Sequence, residues 1–245
     1  MDCLYIVMPA YNEAATLRAV VRDWHRMLHV SGASPESRLL LIDDGSTDDS
    51  AALLEELSAD YPQLVVQHQA NQGHGAAILN GYRLALEQGA DYVFQTDSDG
   101  QTDPEKFPDF WNLRQEATMI IGERRKRQDG RSRTFVSLVL CLVIWLTLGV
   151  KLKDPNTPFR LMHGPSLLHW LQSVPEHFFL ANALLAATAV WTGSKILWLP
   201  ISFKPRQGGS NSLNLKRIIG VGWQSIGAFK EARRLLEKYQ GPRID

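Results

Sequence analysis

Tyr92-Val93-Phe94-Gln95-Thr96-Asp97-Ser98-Asp99-Gly100-Gln101 carries an apolar run into two acids one residue apart. Side chains of an extended strand alternate with a period of two, so both carboxylates project to one side at its end. Such a pair can hold a hard divalent cation, which takes oxygen ligands and, for Mg²⁺, keeps positions for water and substrate phosphates. Two acids beside a glycine also make an ordinary polar turn. The rest of the chain weighs these two readings.

Apolar runs at Leu4 to Met8, Arg38 to Asp43, Leu64 to Gln67, Asp91 to Thr96 and Thr118 to Gly122 read as strands, and helical patterns separate them. The first helix, Glu13 to Val30, repeats Leu17, Val20, Val21, Trp24 and Leu28 at helical spacing. Asp48 fits an N-cap for a second helix through Leu57. Asn71-Gln72-Gly73-His74-Gly75 opens a third through Glu87, and Pro104 suits the first turn of a fourth. Alternating strands and helices predict an α/β fold with a mainly parallel sheet. Ligands of such sheets bind beyond the carboxyl ends of the strands, where Pro9 to Glu13, Asp43-Asp44-Gly45-Ser46 and the acid pair all fall.

Gly73-His74-Gly75 follows the third strand, and Ile78 stands where a dinucleotide fingerprint needs its last glycine. No G-x-x-x-x-G-K-[ST] occurs, so both cofactor folds are set aside. The turn either offers backbone N–H groups to a phosphate at a helix N-terminus or only closes tightly. His74 either touches a ligand or, as a lone histidine more often is, stands merely exposed, and no pair among the seven histidines has supported zinc-site spacing.

A chain of 245 residues that is 44% hydrophobic can bury a real core, which excludes a disordered chain. Its formal charge of zero hides an asymmetry: 7 Lys and Arg against 19 Asp and Glu in residues 1–120, and the reverse in residues 121–245. The basic half suits an anionic partner, or the two halves neutralise each other. Cys3 and Cys141 sit in apolar runs without metal-ligand spacing, and the N-terminus lacks the basic region of a cleavable signal. Both point to a reducing, cytosolic setting.

Arg124, Arg125, Lys126, Arg127, Arg131 and Arg133 precede an almost wholly apolar run from Thr134 to Val150. That run is short for a membrane span, suits an interfacial helix with basic flanks, and suits a core helix. After Asp154-Pro155-Asn156-Thr157-Pro158-Phe159-Arg160 the chain reads as helical through Trp191, then as a strand from Ile196 to Phe203. Leu215 to Tyr239 is an amphipathic helix suited to a dimer, a partner or the membrane.

Met8-Pro9-Ala10-Tyr11-Asn12-Glu13, Asp43-Asp44-Gly45-Ser46, Asn71-Gln72-Gly73-His74-Gly75 and Asp97-x-Asp99-x-Gln101-x-x-Pro104 occur in an ordered series. Gly122-Glu123-Arg124, Asp154 through Phe159-Arg160, and Arg206-Gln207-Gly208-Gly209-Ser210 continue it. In that order over nearly the whole chain, the motifs resemble the inverting family-2 glycosyltransferases, in particular the dolichyl-phosphate mannose synthase and polyprenyl-phosphate glycosyltransferase group. Pro158 departs from the family's usual glycine, Trp198 from an acid found in many members, and Asn211 from a frequent lysine.

The resemblance implies one GT-A-like domain over residues 1–245, with a nucleotide-sugar and metal half (1–122) and a basic, membrane-facing acceptor half (123–245). It implies that Pro9, Tyr11, Glu13, Asp43 or Asp44, and Gly73 meet the donor. Asp97, Asp99 and Gln101 would hold Mg²⁺ or Mn²⁺, with Asp97 and Asp99 catalytic. Arg124 and Arg206 would also be catalytic, and Arg133, Asp154, Arg160 and Ser210 would bind substrate phosphates or the acceptor. Arg127 and Arg131 remain alternatives to Arg133.

The expected reaction moves a sugar from a GDP-mannose or UDP-glucose type donor to a polyprenyl phosphate at the cytosolic membrane face. Expected partners are the donor, the lipid phosphate and the membrane surface, with a membrane protein or a second copy also possible, and no nucleic acid. The rivals are a soluble GT-A enzyme acting on a saccharide, protein or small molecule, and a non-catalytic nucleotide-sugar-binding protein.

Overall fold

The computed structural model describes residues 1–124, 131–203 and 215–241, with backbone alone for 131–135 and 215–223. Strands β1 (Leu4–Ala10), β2 (Arg38–Asp43), β3 (Leu64–His68) and β4 (Tyr92–Gln95) alternate with helices α1 (Ala14–Val30), α2 (Ser50–Asp60) and α3 (His74–Glu87). A short 3₁₀ turn at Pro104–Lys106 leads into α4 (Phe107–Asn112), then β5 (Met119–Arg124) and α5 (Arg131–Leu148). β6 (Arg160–His163), α6 (Gly164–Leu171), α7 (Ala181–Trp191), β7 (Ile196–Ile201) and α8 (Leu215–Gln240) complete the order.

The seven strands form one sheet in the order β3-β2-β1-β4-β6-β5-β7. β1 pairs in parallel with β2 on one side and β4 on the other. Connections therefore leave β1 in opposite directions, and the crevice between β1 and β4 is the switch point at which open α/β sheets bind ligands.

β6 corrects the sequence reading, which carried a helical region onward from Arg160. Its four residues run antiparallel to both β4 and β5. Arg-Leu-Met-His is too short to show alternation and contains a charged residue, so no periodic signal marks it as a central strand. Among the described residues β7 pairs with β5 alone and contains Pro200, a residue tolerated on the edge of a sheet.

Alternation along β1 divides the core between the two faces of the sheet. Leu4, Ile6 and Met8 pack on the side of α1 with Leu17, Val21 and Trp24, while Tyr5 and Val7 face Ile78 and Tyr82 of α3 and Leu184 of α7. Trp24 anchors the first face against Phe94, Phe107 and Phe159, with ring centroids 5.4, 6.1 and 5.9 Å away. Tilted and edge-on aromatic contacts of this kind add to the burial of their apolar area.

α5 answers part of the question left open for Thr134 to Val150. No helix among the described residues is long and apolar enough to cross a membrane. Leu140, Val143, Ile144, Thr147 and Leu148 are buried, whereas Leu138, Leu142, Trp145 and Leu146 are 47–66% exposed. One apolar face therefore joins the core and the other meets solvent. α8 behaves differently: Ser225, Phe229, Ala232 and Leu236 turn its apolar stripe into the protein, and Arg233 Nη1 donates to Thr147 O of α5 at 3.3 Å.

Candidate active site

Asp97 and Asp99 leave β4 at the switch point, on a turn tied to its neighbours. Ser98 Oγ donates to Pro9 O at 2.8 Å, and Thr16 Oγ1 donates to Ser98 O at 2.9 Å, so β1 and α1 hold the turn from both sides. Gly100 closes it at a φ of 73°, in the left-handed region that suits glycine. The nearly buried Gln101 donates its backbone N–H to Asp99 Oδ1 at 3.0 Å.

The carboxyl of Asp97 is pushed up to about 6, first by burial; the Asp99 charge adds to the rise, and His74, Gln95 and Arg124 oppose it. His74 is exposed, as its sequence reading had it, and its Nε2 lies 3.7 Å from Asp97 Oδ1.

The loop after β1 is held open by Asn12, whose φ of 55° is uncommon outside glycine. Its Oδ1 accepts from Thr47 N at 2.7 Å and its backbone N–H donates to Ser46 Oγ at 3.0 Å. Glu13 N donates to Ser50 Oγ at 2.9 Å. These bonds dock the loop on the start of α2, leaving Tyr11 exposed and Glu13 half-buried at the rim. Asp48 also serves both helices, accepting from Ser50 N at 2.9 Å and from Ala14 N at 3.3 Å. It therefore caps one residue ahead of the N-cap position, which Asp49 occupies.

The two acids after β2 have separate tasks. Buried Asp43 accepts from Ser46 N at 3.1 Å through Oδ1, and its Oδ2 lies 2.8 Å from His68 Nδ1. Asp44 accepts from Gln69 Nε2 and Gln72 N through Oδ1, and from Gly73 N through Oδ2, at 2.8 to 2.9 Å. Asp44 thus takes the Gly73 N–H and ties the turn that opens α3 to the end of β2.

Two later arginines also part company. Arg124, at the end of β5, grips Asp154 with Nε and Nη2 at 2.7 and 2.8 Å, and its guanidinium carbon lies 5.4 Å from the Phe203 ring centre. Arg160 is wholly buried, its guanidinium donating to the carbonyls of Pro155, Thr157 and Asn182. A guanidinium enclosed by carbonyls holds the chain together and does not reach a substrate, which overturns the reading of Arg160 as substrate-binding. Arg206 and Ser210 lie outside the described residues, as do the side chains of Arg133 and Arg131, and Arg127 entirely.

The acid turn fits a divalent cation. Asp97 and Asp99 each keep one carboxylate oxygen, Oδ2, that receives no hydrogen bond from any described residue. Among the described residues no three His, Cys, Asp or Glu side chains gather to hold a metal alone. A two-carboxylate set of this kind suits an ion whose remaining positions go to water and phosphate oxygens. The signal that sequence reading lacked was burial: Gln95, two residues before Asp97, and Asn182 on α7 stand behind the turn with no motif to mark them.

The family model described as Glycosyl transferase family 2 matches residues 5–166. An undecaprenyl-phosphate mannosyltransferase of Micrococcus luteus is 26% identical over 216 residues, 85% of this chain and 86% of the relative. An undecaprenyl-phosphate 4-deoxy-4-formamido-L-arabinose transferase of Pseudomonas fluorescens is 32% identical over 92% of this chain. The chain spans 64% of that longer relative. Among solved structures, glucosyl-3-phosphoglycerate synthase of Mycobacterium tuberculosis with Mn²⁺, UDP and phosphoglyceric acid has a TM-score of 0.66 at 20% identity, covering 95% of this chain and 78% of that one. TarS 1–349 of S. aureus with UDP has a TM-score of 0.58 at 16% identity, covering 98% and 71%. The structural likeness establishes the GT-A fold.

Proposed function

Because the chain belongs to glycosyl transferase family 2 and is a glycosyltransferase, we propose that it moves a sugar from a nucleotide-sugar donor to a polyprenyl phosphate at a membrane surface, with inversion at the anomeric carbon. The observation that carries the reading is the Asp97–Asp99 turn at the β1/β4 crevice, tied through Ser98 to Pro9 and Thr16 on either side of the loop that carries Tyr11 and Glu13. The names of the undecaprenyl-phosphate relatives support the acceptor.

In this proposal Tyr11, Glu13 and Asp43 receive the nucleoside, and Asp97 and Asp99, with Gln101, hold Mg²⁺ or Mn²⁺. A bound cation supplies Lewis-acid stabilisation of the diphosphate as negative charge grows on it. In the same proposal Arg124, held by Asp154 at the end of β5, lends its guanidinium to the leaving diphosphate as negative charge develops there. An oxygen of the lipid phosphate forms the new bond to the anomeric carbon as the bond to the nucleoside diphosphate breaks. That oxygen is ionised at neutral pH, so the site needs positioning more than a strong general base. The exposed face of α5 gives the acceptor's membrane a place to rest. A cytosolic location belongs to the same proposal.

The test incubates the protein with Mn²⁺, a panel of radiolabelled nucleotide sugars and a short-chain polyprenyl phosphate, then counts label in the organic phase. Transfer by the wild type and loss in Asp99→Ala are expected. Free nucleotide with label left in water would keep the donor half and overturn the lipid acceptor. Neither product with any donor would overturn the catalytic reading.

A further inference from the structure

Behind the acid turn, a line of buried side chains crosses from α3 through α7 to Asp97. Tyr82 Oη donates to Asn182 Oδ1 at 3.2 Å, Asn182 Nδ2 donates to Gln95 Oε1 at 3.0 Å, and Gln95 Nε2 donates to Asp97 Oδ1 at 3.1 Å. Tyr82 and Gln95 are fully buried and Asn182 nearly so. Burial keeps the Tyr82 hydroxyl protonated by raising its pKa, so it remains a donor. With water excluded, each amide can satisfy its neighbours in only one sense. Asn182 receives at its oxygen and passes its N–H₂ to Gln95, which passes its own to Asp97. Every donor in the line points towards the carboxylate.

The line is also anchored. Arg160 Nη1 donates to Asn182 O at 2.7 Å, while the Pro155 and Thr157 carbonyls hold the same guanidinium. Arg160 thus fixes the backbone from which Asn182 reaches Gln95, giving this buried charge a task at one remove from the site.

We propose that Gln95 and Asn182 are positioning residues for the metal-holding acid. They fix the Asp97 carboxylate through Oδ1 and leave Oδ2 for a divalent cation. The inference rests on the metal role proposed for Asp97 and Asp99. Partners that orient a ligating carboxylate commonly change metal affinity by about 10- to 100-fold when removed, and cooperative networks lose that support together.

The experiment is a Mn²⁺ titration of the full chain followed by electron paramagnetic resonance, first with Mn²⁺ alone and then with UDP or GDP added. Gln95→Met and Asn182→Leu should each weaken Mn²⁺ binding about tenfold or more, and the double variant should lose little beyond the worse single one, because both cut one line. Circular dichroism confirms that each variant is folded. Should either fail to fold, Tyr82→Phe removes only the first hydroxyl and should still weaken Mn²⁺ binding measurably. Folded variants that bind Mn²⁺ as the wild type does would overturn the inference and leave the metal site standing. A wild type without a saturable Mn²⁺ site, or one whose site survives Asp99→Ala, would overturn the metal reading itself.

Discussion

Asp97 is held in the fold against its own charge. Its carboxyl ionises near 3.8 in an ordinary setting and at about 6 here, chiefly because it is buried. Stability of the metal-free protein therefore falls as pH rises from the lower value to the higher and stays reduced above both. Two pKa units correspond to about 3 kcal/mol, and a side chain that is 24% exposed realises only part of that. Asp97→Asn should raise the urea midpoint of metal-free protein at neutral pH by the equivalent of about 1–3 kcal/mol while abolishing transfer; an unchanged or lower midpoint would contradict the burial argument. His68 has the opposite sign. Hydrogen bonds to Asp43 and then Glu55 raise its pKa above 6.5, so its contribution is complete below 6.5 and is lost as pH climbs through the raised value. The half-exposed ring keeps the effect small. The stability gap between wild type and His68→Gln should close towards alkaline pH, and a gap that does not change with pH would mean the imidazole acts only as a neutral hydrogen-bonding group.

Contacts between elements set which glycines are replaceable. A β-carbon at Gly75, in the first turn of α3, would lie 2.3 Å from Phe178 O and 2.9 Å from Phe179 backbone atoms. Backbone cannot swing aside like a side-chain tip, so Gly75→Ala should destabilise by about 1–3 kcal/mol in urea unfolding; a neutral result would mean that the segment before α7 is looser than it looks. The sequence marked this glycine through its motif, but for the turn and not for the approach of Phe178. The same division runs through the fold. β1 to β5 were legible because short apolar runs alternated with helical patterns, four of the five ending at Pro9, Asp43, Asp97 or Gly122. β6 was not, because its place between β4 and β5 comes from a return of the chain that no local pattern records. In the site, the acids were legible from alternation and motif order. The enclosure of Arg160 and the line from Tyr82 to Gln95 were not, since both depend on residues brought together across 22 to 100 positions of sequence.

At the scale of the whole molecule, the membrane contact proposed above draws on charge and on exposed apolar surface. Residues 1–120 carry the acidic excess and residues 121–245 the basic one, and six basic residues from Arg124 to Arg133 immediately precede the middle of α5 in sequence. Leu142 and Leu146 lie one turn apart on that helix, with Leu138 and Trp145 beside them, all exposed. Apolar side chains lodged at the acyl boundary and basic flanks near anionic headgroups reinforce each other, because the apolar contribution grows with area and the charge raises local concentration. Each leucine that leaves water contributes about 1.5–3 kcal/mol, so replacing both by glutamate should weaken partitioning by well over about tenfold. In flotation with anionic vesicles, wild type should rise with the lipid and Leu142→Glu/Leu146→Glu should stay below, with thermal unfolding unchanged because neither side chain is in the core. The variant should still release nucleotide from the donor while transferring little label to lipid. If it floats as well as wild type, the exposed face of α5 is not what meets the membrane, and the acceptor must approach the crevice from another side.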